Sequence, residues 1–246
     1  MNSTTIKLML SHCSIRKFND EKIEAETLEQ LIKAGQAAAS SSFIQAYSII
    51  RVTESNVRKS IAEAAGGQPW IVQAPEFLVF CADLKRIELA CVGQDQGELE
   101  GHTEHFLAAT VDVALVAQNV LLAAESIGLG GVYIGGIRNQ PQLLADLLAL
   151  PDQVYPVFGM CLGKPAIHPD VKPRFATNSV LHQGTYQIDK LENDVAAYDE
   201  QMKKYYQSRS SNNRMSDWSS QTATAVQMKK REHMLPFLQK RGLLKV

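Results

Sequence analysis

The feature that most constrains this chain is a long apolar run, EHFLAATVDVALVAQNVLLAAES, at residues 104–126. Apolar residues occur on nearly every side at helical spacing, which predicts a helix buried in the middle of the structure rather than on its surface. Asp112, Gln118, Asn119 and Glu125 interrupt the run, whereas about 20 predominantly apolar residues are needed to cross a bilayer. We therefore expect the central helix of a folded core and no membrane span.

Shorter segments around this helix carry helical or strand patterns. Segments with helical spacing and typical first-turn residues predict helices at 24–39, 55–67 and 141–150. Short segments rich in β-branched and aromatic residues predict strands at 46–53, 77–82, 132–134 and 155–163. Beyond residue 186 the chain turns polar and charged, which predicts helix, loop and helix. The last stretch, 227–246, has too few apolar residues for a core of its own and must pack on its own domain or on a partner.

Length, charge and cysteine content exclude several classes of protein. A chain of 246 residues with 45% hydrophobic content can bury a substantial core, as one large domain or two small ones. A net charge of -1 gives no field that would attract nucleic acid or an anionic membrane, and the start of the chain has no secretory signal, so we expect a cytoplasmic protein. The cysteines lack metal-ligand spacing, which predicts no metal site; they are Cys13, Cys81, Cys91 and Cys161.

Residues 128–136, GLGGVYIGG, contain five of the chain's 15 glycines. A dinucleotide fingerprint fails because Tyr133 stands at its third glycine, and a P-loop fails because Ile137 stands where lysine is required. A helix cap or a bulge explains a single glycine, but glycine in a strand costs about 0.5–1 kcal/mol relative to alanine. We interpret two Gly-Gly pairs around VYI as a place where a flat ligand, such as an isoalloxazine ring, lies against the main chain.

Two basic segments could hold a phosphate. HCSIRKF (12–18) brings His12, Ser14 and Arg16 close together. VKPR (171–174) offers Lys172 and Arg174 on one side of an extended, proline-fixed segment. Guanidinium and ammonium groups bind phosphate through charge-assisted hydrogen bonds, although each of these residues, taken alone, is more typical of a solvated surface.

Further polar groups suit a cofactor more than a hydrolytic site. Ser40, Ser41, Ser42 and Gln68 suit a phosphate, a ribityl chain or the edge of a heterocycle. The chain has no G-x-S-x-G elbow, no H-E-x-x-H and no clear pair of carboxylates in apolar surroundings. Many binding groups without an evident acid, base or nucleophile are typical of an enzyme whose cofactor carries the chemistry.

Taken together, these segments resemble the FMN-dependent nitroreductases, in particular the NADPH-preferring group A nitroreductases and the related flavin reductases of luminous bacteria. HCSIRKF is similar to the family's His-Arg-Ser-Ile-Arg motif, and AAESIGLGGVYIGGIRN is similar to its signature. SSSF, GGQ, FGMCLGKP, VKPR and YYQSRSSNNR match in order, so the resemblance covers nearly the whole chain. It implies an α+β fold with a central antiparallel sheet flanked by helices. It also implies one domain over 1–246 in an intertwined homodimer, with 187–246 as an extension that embraces the partner.

The resemblance implies specific contacts with FMN. His12, Cys13, Ser14 and Arg16 would contact the cofactor, with Arg16 on the phosphate beside Lys172 and Arg174. Ser40, Ser41 and Ser42 would reach the flavin from the other subunit, and Gln68 would bind the ring or its ribityl chain. Four consecutive residues would line the ring, one of their amides pointing at the flavin N5: Tyr133, Ile134, Gly135 and Gly136.

The sequence departs from the family pattern in two places. Cys13 stands where arginine is usual, which removes one positive charge beside the cofactor. Either FMN is held less tightly here, or that arginine was never a main phosphate ligand. Phe175 and Ala176 replace the usual Leu-Pro after the Lys-Pro-Arg motif, which changes the expected loop shape but not its charges.

The resemblance implies NADPH as electron donor, with Arg209 and Arg214 of RSSNNR (209–214) pairing with its 2′-phosphate. The implied reaction is two-electron, ping-pong hydride transfer through FMN to nitroaromatics, quinones or similar acceptors. One alternative is a flavin reductase that supplies free reduced flavin to a partner enzyme, and another is a non-catalytic flavin-binding protein. A third alternative, nucleic-acid binding, would depend on a group of basic residues near the end of the sequence. We interpret these residues instead as a solvated helix face: Lys229, Lys230, Arg231, Lys240 and Arg241.

Overall fold

The computed structural model describes residues 3–209 and 215–246. The described chain contains four strands: β1 Tyr47–Arg51, β2 Glu76–Asp83, β3 Gly130–Ile134 and β4 Val154–Gly163. Its described α-helices are α1 Thr4–Leu10, α2 Ala25–Gln36, α3 Ser55–Ala64, α4 Trp70–Gln73, α5 Lys85–Gly93, α6 Thr103–Ser126, α7 Pro141–Leu147, α8 Thr177–Val180, α9 Leu191–Ser208, α10 Trp218–Met228 and α11 Met234–Lys240. Short 3₁₀-helices occupy Ser41–Phe43, Gly135–Asn139 and Ile188–Lys190.

The chain divides into two compact units. The first comprises Met1–Pro169 and Arg231–Val246, and the second comprises Asp170–Lys230. The prediction of a single domain over 1–246 stays a prediction, and each unit is described below by itself.

The first unit is built on an antiparallel sheet with the order β1-β2-β4-β3. All eight residues of β2 are buried, so this strand lies at the centre of the core. Cys81 on β2 and Cys161 on β4 are fully buried, and burial raises the pKa of the Cys81 thiol to about 12, as expected of an inert core thiol. The predicted α+β fold with a central antiparallel sheet is confirmed. The short helix α5 after β2 was not predicted.

Helix α6 is long and apolar enough, by length and composition, to cross a bilayer. It nevertheless lies along the core, because one side, which includes Val113, Val116 and Leu121, is fully buried against α2 and the sheet. The prediction of burial on nearly every side is wrong for the single chain. Leu107, Val111 and Leu115 are 50%, 55% and 42% exposed and form an apolar stripe with a four-residue period.

The last residues return to the core of the first unit. Phe237, Leu238 and Leu243 are buried in the same cluster as the sheet. Arg241 is 8% exposed and donates to backbone carbonyls in the segment 150–154. For the stretch 227–246 we expected packing either on its own domain or on a partner. The structure packs the end of this stretch on the core of its own chain. The predicted embrace of a partner by 187–246 stays a prediction.

The second unit contains α8, α9 and α10 around a small aromatic cluster. Tyr198, Met202 and Tyr206 are its buried members, and Phe175 packs on Tyr198 with ring centroids 4.0 Å apart. Trp218 meets Phe175 edge to face at 5.0 Å. This cluster supports the loop that carries Lys172 and Arg174, because the Tyr198 hydroxyl donates to the Pro173 carbonyl oxygen at 2.8 Å.

Candidate active site

The segment 12–16 runs beside β3 and is held there by Ile15. The Ile15 amide donates to the Gly131 carbonyl oxygen at 2.9 Å, and the Ile15 side chain is 2% exposed. Its neighbours Ser14 and Arg16 are half-buried and exposed, respectively. At the start of the segment, His12 Nδ1 lies 2.6 Å from Glu125 Oε1 near the end of α6. The structure thus fixes this segment at both ends and leaves polar groups accessible between them.

Two contacts involve the segment 68–70, one between Arg16 and Trp70 and one between Gly136 and Gln68. The Arg16 guanidinium lies 5.8 Å from the centroid of the Trp70 ring, at a distance typical of a cation–π contact. Gln68, two residues before Trp70, donates to the Ala65 carbonyl oxygen at 2.8 Å. The Trp70 Nε1 donor is buried and has no hydrogen-bond partner within the described chain. Sequence reasoning missed Trp70. The available signal was its position two residues after Gln68 of the GGQ motif.

Gly136 approaches its own chain more closely than any side chain would allow. A Cβ there would overlap the Ala65 carbonyl oxygen and the Gln68 amide. At Gly135, by contrast, an added Cβ would meet only the mobile end of Arg138, at 3.3 Å, within the described residues. The close approach at Gly136 brings the backbone of the 3₁₀-helix Gly135–Asn139 against Gln68.

Packing and helix termination account for most of these glycines without a ligand, and the contact of the segment with a flat ligand stays a prediction. A Cβ at Gly130 would lie 2.5 Å from Ile15 Cγ1, and one at Gly131 would lie 2.7 Å from the Cys161 carbonyl oxygen. Gly128 has φ of +81° at the end of α6, which is a helix-terminating conformation. Protein packing therefore explains Gly130, Gly131 and Gly136, and a positive φ explains Gly128. Neither reason applies to Gly135, which has no positive φ and whose added Cβ would meet Arg138 at 3.3 Å.

Tyr133 and Ile134 differ in what they can offer a ligand. The Ile134 side chain is fully buried, so its contact with a ring would be limited to the main chain. Tyr133 is half-buried, packs edge to face on Phe158 at 5.0 Å and donates to Gln118 Oε1 at 3.3 Å. Burial raises the pKa of the Tyr133 phenol, as does the charge of Glu125, so the group stays protonated at neutral pH.

Cys13 is a neutral group at the position where arginine is usual. Burial raises the pKa of the Cys13 thiol above its ordinary value, and the charge of Glu125 raises it further. Cys13 lines a cavity of about 200 Å³ together with Ile15, Glu125 and Gly130. The thiol can therefore add no positive charge, and at neutral pH no negative charge either.

The serine loop, residues 40–46, lies away from His12 in the same chain. The Ser41 amide donates to Asp112 Oδ1 at 2.8 Å, which ties the loop to the first half of α6, while Glu125 ties His12 to its end. Thirteen residues separate Asp112 from Glu125, a rise of roughly 20 Å along a helix. One chain does not bring Ser40, Ser41 and Ser42 beside His12.

Three further predicted residues lie in the second unit. Lys172 Nζ is 5.7 Å from the centroid of the Tyr206 ring, and Arg174 Nη1 donates to the Lys172 carbonyl oxygen at 2.6 Å. The Arg209 guanidinium is 5.8 Å from the centroid of the Tyr205 ring. Arg214 lies outside the described residues. The joint contact of Arg16, Lys172 and Arg174 with one phosphate stays a prediction.

The donors in the first unit suit a cofactor with a phosphate, a hydroxylated chain and a heterocycle. Arg16 is an exposed cation, Ser14 supplies a hydroxyl, Gln68 supplies an amide, and the unpartnered Trp70 N–H is a spare donor. Gly135 adds a half-buried main-chain surface, beside the Arg138 guanidinium. Among the described residues no group of three or more His, Cys, Asp or Glu side chains could hold a metal. The chemistry of these groups suits the phosphate, ribityl chain and ring of FMN.

The fold and this arrangement define a flavin-binding α+β oxidoreductase class, and comparison with known proteins gives the family. Residues 10–164 match the model of the nitroreductase family, and residues 172–246 match the model of the nitroreductase family C-terminal domain. This chain belongs to the nitroreductase family, which confirms the resemblance found in the sequence.

Three similar proteins illustrate the match. An NADPH-flavin oxidoreductase of Vibrio harveyi is 45% identical over 244 residues, 99% of each chain. An oxygen-insensitive NADPH nitroreductase of Salmonella typhimurium is 44% identical over 242 residues, 98% of each chain. The solved structure of NADPH:FMN oxidoreductase from Vibrio harveyi, complexed with NAD⁺, superposes with a TM-score of 0.89 at 42% identity, covering 99% of this chain and 100% of that one.

Proposed function

We propose that this chain is an NADPH-dependent FMN oxidoreductase that reduces nitroaromatics, quinones or similar acceptors in the cytoplasm. The observation that carries the proposal is that Arg16 contacts Trp70 while Gly136, just after β3, closely approaches Gln68, two residues before Trp70. The names of relatives that match the whole chain at 44–45% identity support the same activity. We infer no role for membranes or nucleic acid.

Bound FMN would supply two-electron chemistry, accepting hydride from NADPH and passing it to the acceptor. The protein's own contribution is to bind and orient. Arg16, with Lys172 and Arg174, would supply positive charge for the phosphate, and His12, Cys13 and Ser14 would contact the cofactor. Gln68 and the main chain at Tyr133, Ile134, Gly135 and Gly136 would contact the ring system. N–H donors and cations near the ring favour its reduced, anionic form.

We also propose a homodimer that completes each flavin site. The Leu107, Val111 and Leu115 stripe exposes apolar surface on one face of α6, and its proposed occupant is a second copy of the chain. The serine loop is tied to the same helix, roughly 20 Å along it from the residue that holds His12. A two-fold partner packed on this face would bring the serine loop of one chain to the His12 segment of the other.

The dimer proposal is tested by Val111→Lys, with Lys17→Ala as the surface control. We expect the lysine variant to sediment as a monomer and to lose FMN, because a charge in the middle of an apolar interface is strongly unfavourable. A Val111→Lys variant that remains dimeric, or a monomer that binds FMN normally, would contradict the proposal.

A flavin reductase is the second candidate, and one observation favours it. A 45% identical relative is named an NADPH-flavin oxidoreductase, whereas another at 44% is named a nitroreductase. In a flavin reductase free flavin is itself the electron acceptor. In a nitroreductase the bound flavin passes the electrons to another acceptor.

Steady-state oxidation of NADPH by the FMN-loaded protein tests both candidates. We expect parallel double-reciprocal lines with a nitrofuran or a quinone as acceptor, as a ping-pong reaction gives. Faster turnover with free FMN than with these acceptors would favour the flavin reductase. NADPH oxidation no faster than that by free flavin alone would reject both and indicate a non-catalytic flavin-binding protein.

A further inference from the structure

We propose that Asp112 is a positioning residue of the flavin site. Its carboxylate holds the serine loop in the conformation in which Ser40, Ser41 and Ser42 meet FMN. The inference rests on the proposed function, because it concerns the same cofactor site, and it assigns a role to a buried charge on an otherwise apolar side of α6.

The carboxylate of Asp112 bonds both ends of the loop. Oδ1 accepts from the Ser41 amide at 2.8 Å, and Oδ2 accepts from the Ala46 amide at 3.1 Å. Asp112 is fully buried, and within the described chain no cationic side chain lies at ion-pair distance from it. A buried carboxylate without a cation is costly, so these two hydrogen bonds are the compensation that the structure provides.

The loop that Asp112 clamps has a strained backbone. Ser42, Phe43 and Gln45 have φ of 45°, 58° and 51°, in the left-handed region that residues other than glycine disfavour. Residues held in such conformations persist only where the surroundings over-determine them, and they cluster at functional sites. The two bonds to Asp112 span this strained segment from one end to the other.

Apart from the bonds to Asp112, the loop is held mainly by local contacts. Ser41, Ser42, Phe43 and Gln45 are exposed, and Phe43 is 80% exposed. Within the loop, the Ile44 backbone amide donates to the Ser41 carbonyl oxygen at 2.9 Å, and the backbone amides of Phe43 and Gln45 donate to the carbonyl oxygen and Oγ of Ser40, each at a long 3.3 Å. Ile44 packs on the core, and Ala46 is buried in it and accepts from the Asp83 backbone amide at 3.0 Å. Without the Asp112 carboxylate we expect the loop to relax toward ordinary φ values, which would move the serines away from their FMN contacts.

The principal test is Asp112→Asn, which preserves shape but turns one acceptor into a donor that faces a backbone N–H. Its matched control is Asp83→Asn. Asp83 is also a buried carboxylate, 7% exposed, which accepts from the Lys85 amide at 2.9 Å and from the Ser48 hydroxyl and lies 3.7 Å from Arg86 Nη2. Its side chain bonds no residue of the loop, and the bond from its backbone amide to the Ala46 carbonyl oxygen, at 3.0 Å, is kept in Asp83→Asn. FMN affinity by quenching of flavin fluorescence and thermal unfolding of the apoprotein are measured for both variants.

We expect Asp112→Asn to raise the Kd for FMN by about tenfold or more, the effect of losing one hydrogen bond and leaving a donor unpaired. Asp83→Asn should leave that Kd within about twofold, even if both variants lower the unfolding temperature by similar amounts. An Asp112→Asn protein that binds FMN like the wild type would overturn the inference, and so would an equal loss of affinity in Asp83→Asn.

A second pair of variants tests the loop if Asp112→Asn does not fold. Gln45 lies outside the set of proposed FMN contacts. Gln45→Val and Gln45→Gly both lose the 3.4 Å hydrogen bond from the side chain to the Phe43 carbonyl oxygen, so the two variants differ from each other chiefly in how easily they adopt the left-handed conformation. We expect Gln45→Val to weaken FMN binding by several-fold and Gln45→Gly to leave it unchanged or tighter. Equal FMN affinity in the two variants would overturn the inference. Failure of the wild-type protein to bind FMN would instead overturn the proposed function.

Discussion

The glycine stretch, residues 128–136, and the serine loop, residues 40–46, place unusual backbone at two parts of the proposed flavin site by opposite means. The glycine stretch has glycine wherever its own chain approaches closely, as Gly131 does with β4 and Gly136 with Gln68. The serine loop has left-handed φ at three residues and no glycine at any of them. The first region is therefore relaxed and built for packing, whereas the second holds strain that a buried carboxylate maintains.

The largest effect that tests this comparison is on stability at the glycine stretch. Gly136→Ala would place a methyl group on the Ala65 carbonyl oxygen, which belongs to the backbone and cannot turn away. We expect a loss of about 2–3 kcal/mol in the free energy of unfolding, measured in urea. Gly135→Ala is the matched control and should cost less than about 1 kcal/mol, since it meets only the end of Arg138. Equal costs at both positions would mean that the close approach at Gly136 is not what requires glycine.

Next in size is the effect of Arg16→Ala, which asks whether the glycine side of the site holds the cofactor. Arg16 is exposed and contacts the Trp70 ring, so its removal should barely change folding. The Kd for FMN should rise by about 10- to 100-fold, as expected for loss of a charge-assisted hydrogen bond to phosphate. Lys17→Ala removes the neighbouring exposed charge and should change the Kd by less than about twofold. Similar effects of the two substitutions would indicate a general electrostatic attraction rather than a contact.

A smaller effect, on NADPH binding, is expected at Arg209, which lies outside the glycine stretch and the serine loop. Arg209→Ala should raise the KM for NADPH by about three- to tenfold, with little change in kcat or in FMN content, because the interaction is made equally in the ground and transition states. Lys203→Ala, on the same helix region and paired with Glu200, is the control. If the preference for NADPH over NADH does not change in Arg209→Ala, the assignment of Arg209 to the 2′-phosphate is wrong.

The smallest effect is expected at Cys13, where a neutral thiol replaces the family's arginine. Burial raises the pKa of this thiol and the charge of Glu125 raises it further, so the thiol stays protonated and uncharged at neutral pH. Restoring the charge with Cys13→Arg should lower the Kd for FMN by up to about threefold or leave it unchanged. Cys13→Ser, which adds no charge, should resemble the wild type. Clearly weaker FMN binding by Cys13→Arg would show that the motif is misaligned here.

Much of the fold was predictable because its signals are local. The four predicted strands match β1 to β4 to within a few residues, and the apolar run 104–126 is helix α6 almost residue for residue. The HCSIRKF and GGQ motifs led to Arg16, which contacts Trp70, and to Gln68, two residues before that tryptophan.

The parts that were not predicted depend on contacts between distant residues. Asp112 was visible only as an interruption of an apolar run, because its bonding partners Ser41 and Ala46 are 71 and 66 residues away. The bond between His12 and Glu125 spans 113 residues. The exposed apolar stripe on α6 could not be predicted for a related reason. When a helix is apolar on all sides, its sequence does not show which side faces the core of its own chain and which side faces outward.

The central claim is that this chain is a flavoprotein reduced by NADPH, and its most direct test is an anaerobic titration followed by absorbance. NADPH is added to the FMN-loaded protein, and the experiment is repeated with NADH. The account predicts that the blue-light absorbance band of the oxidised flavin disappears with about one equivalent of NADPH and less readily with NADH. A protein that binds no FMN, or whose bound flavin stays oxidised in excess NADPH, would contradict it.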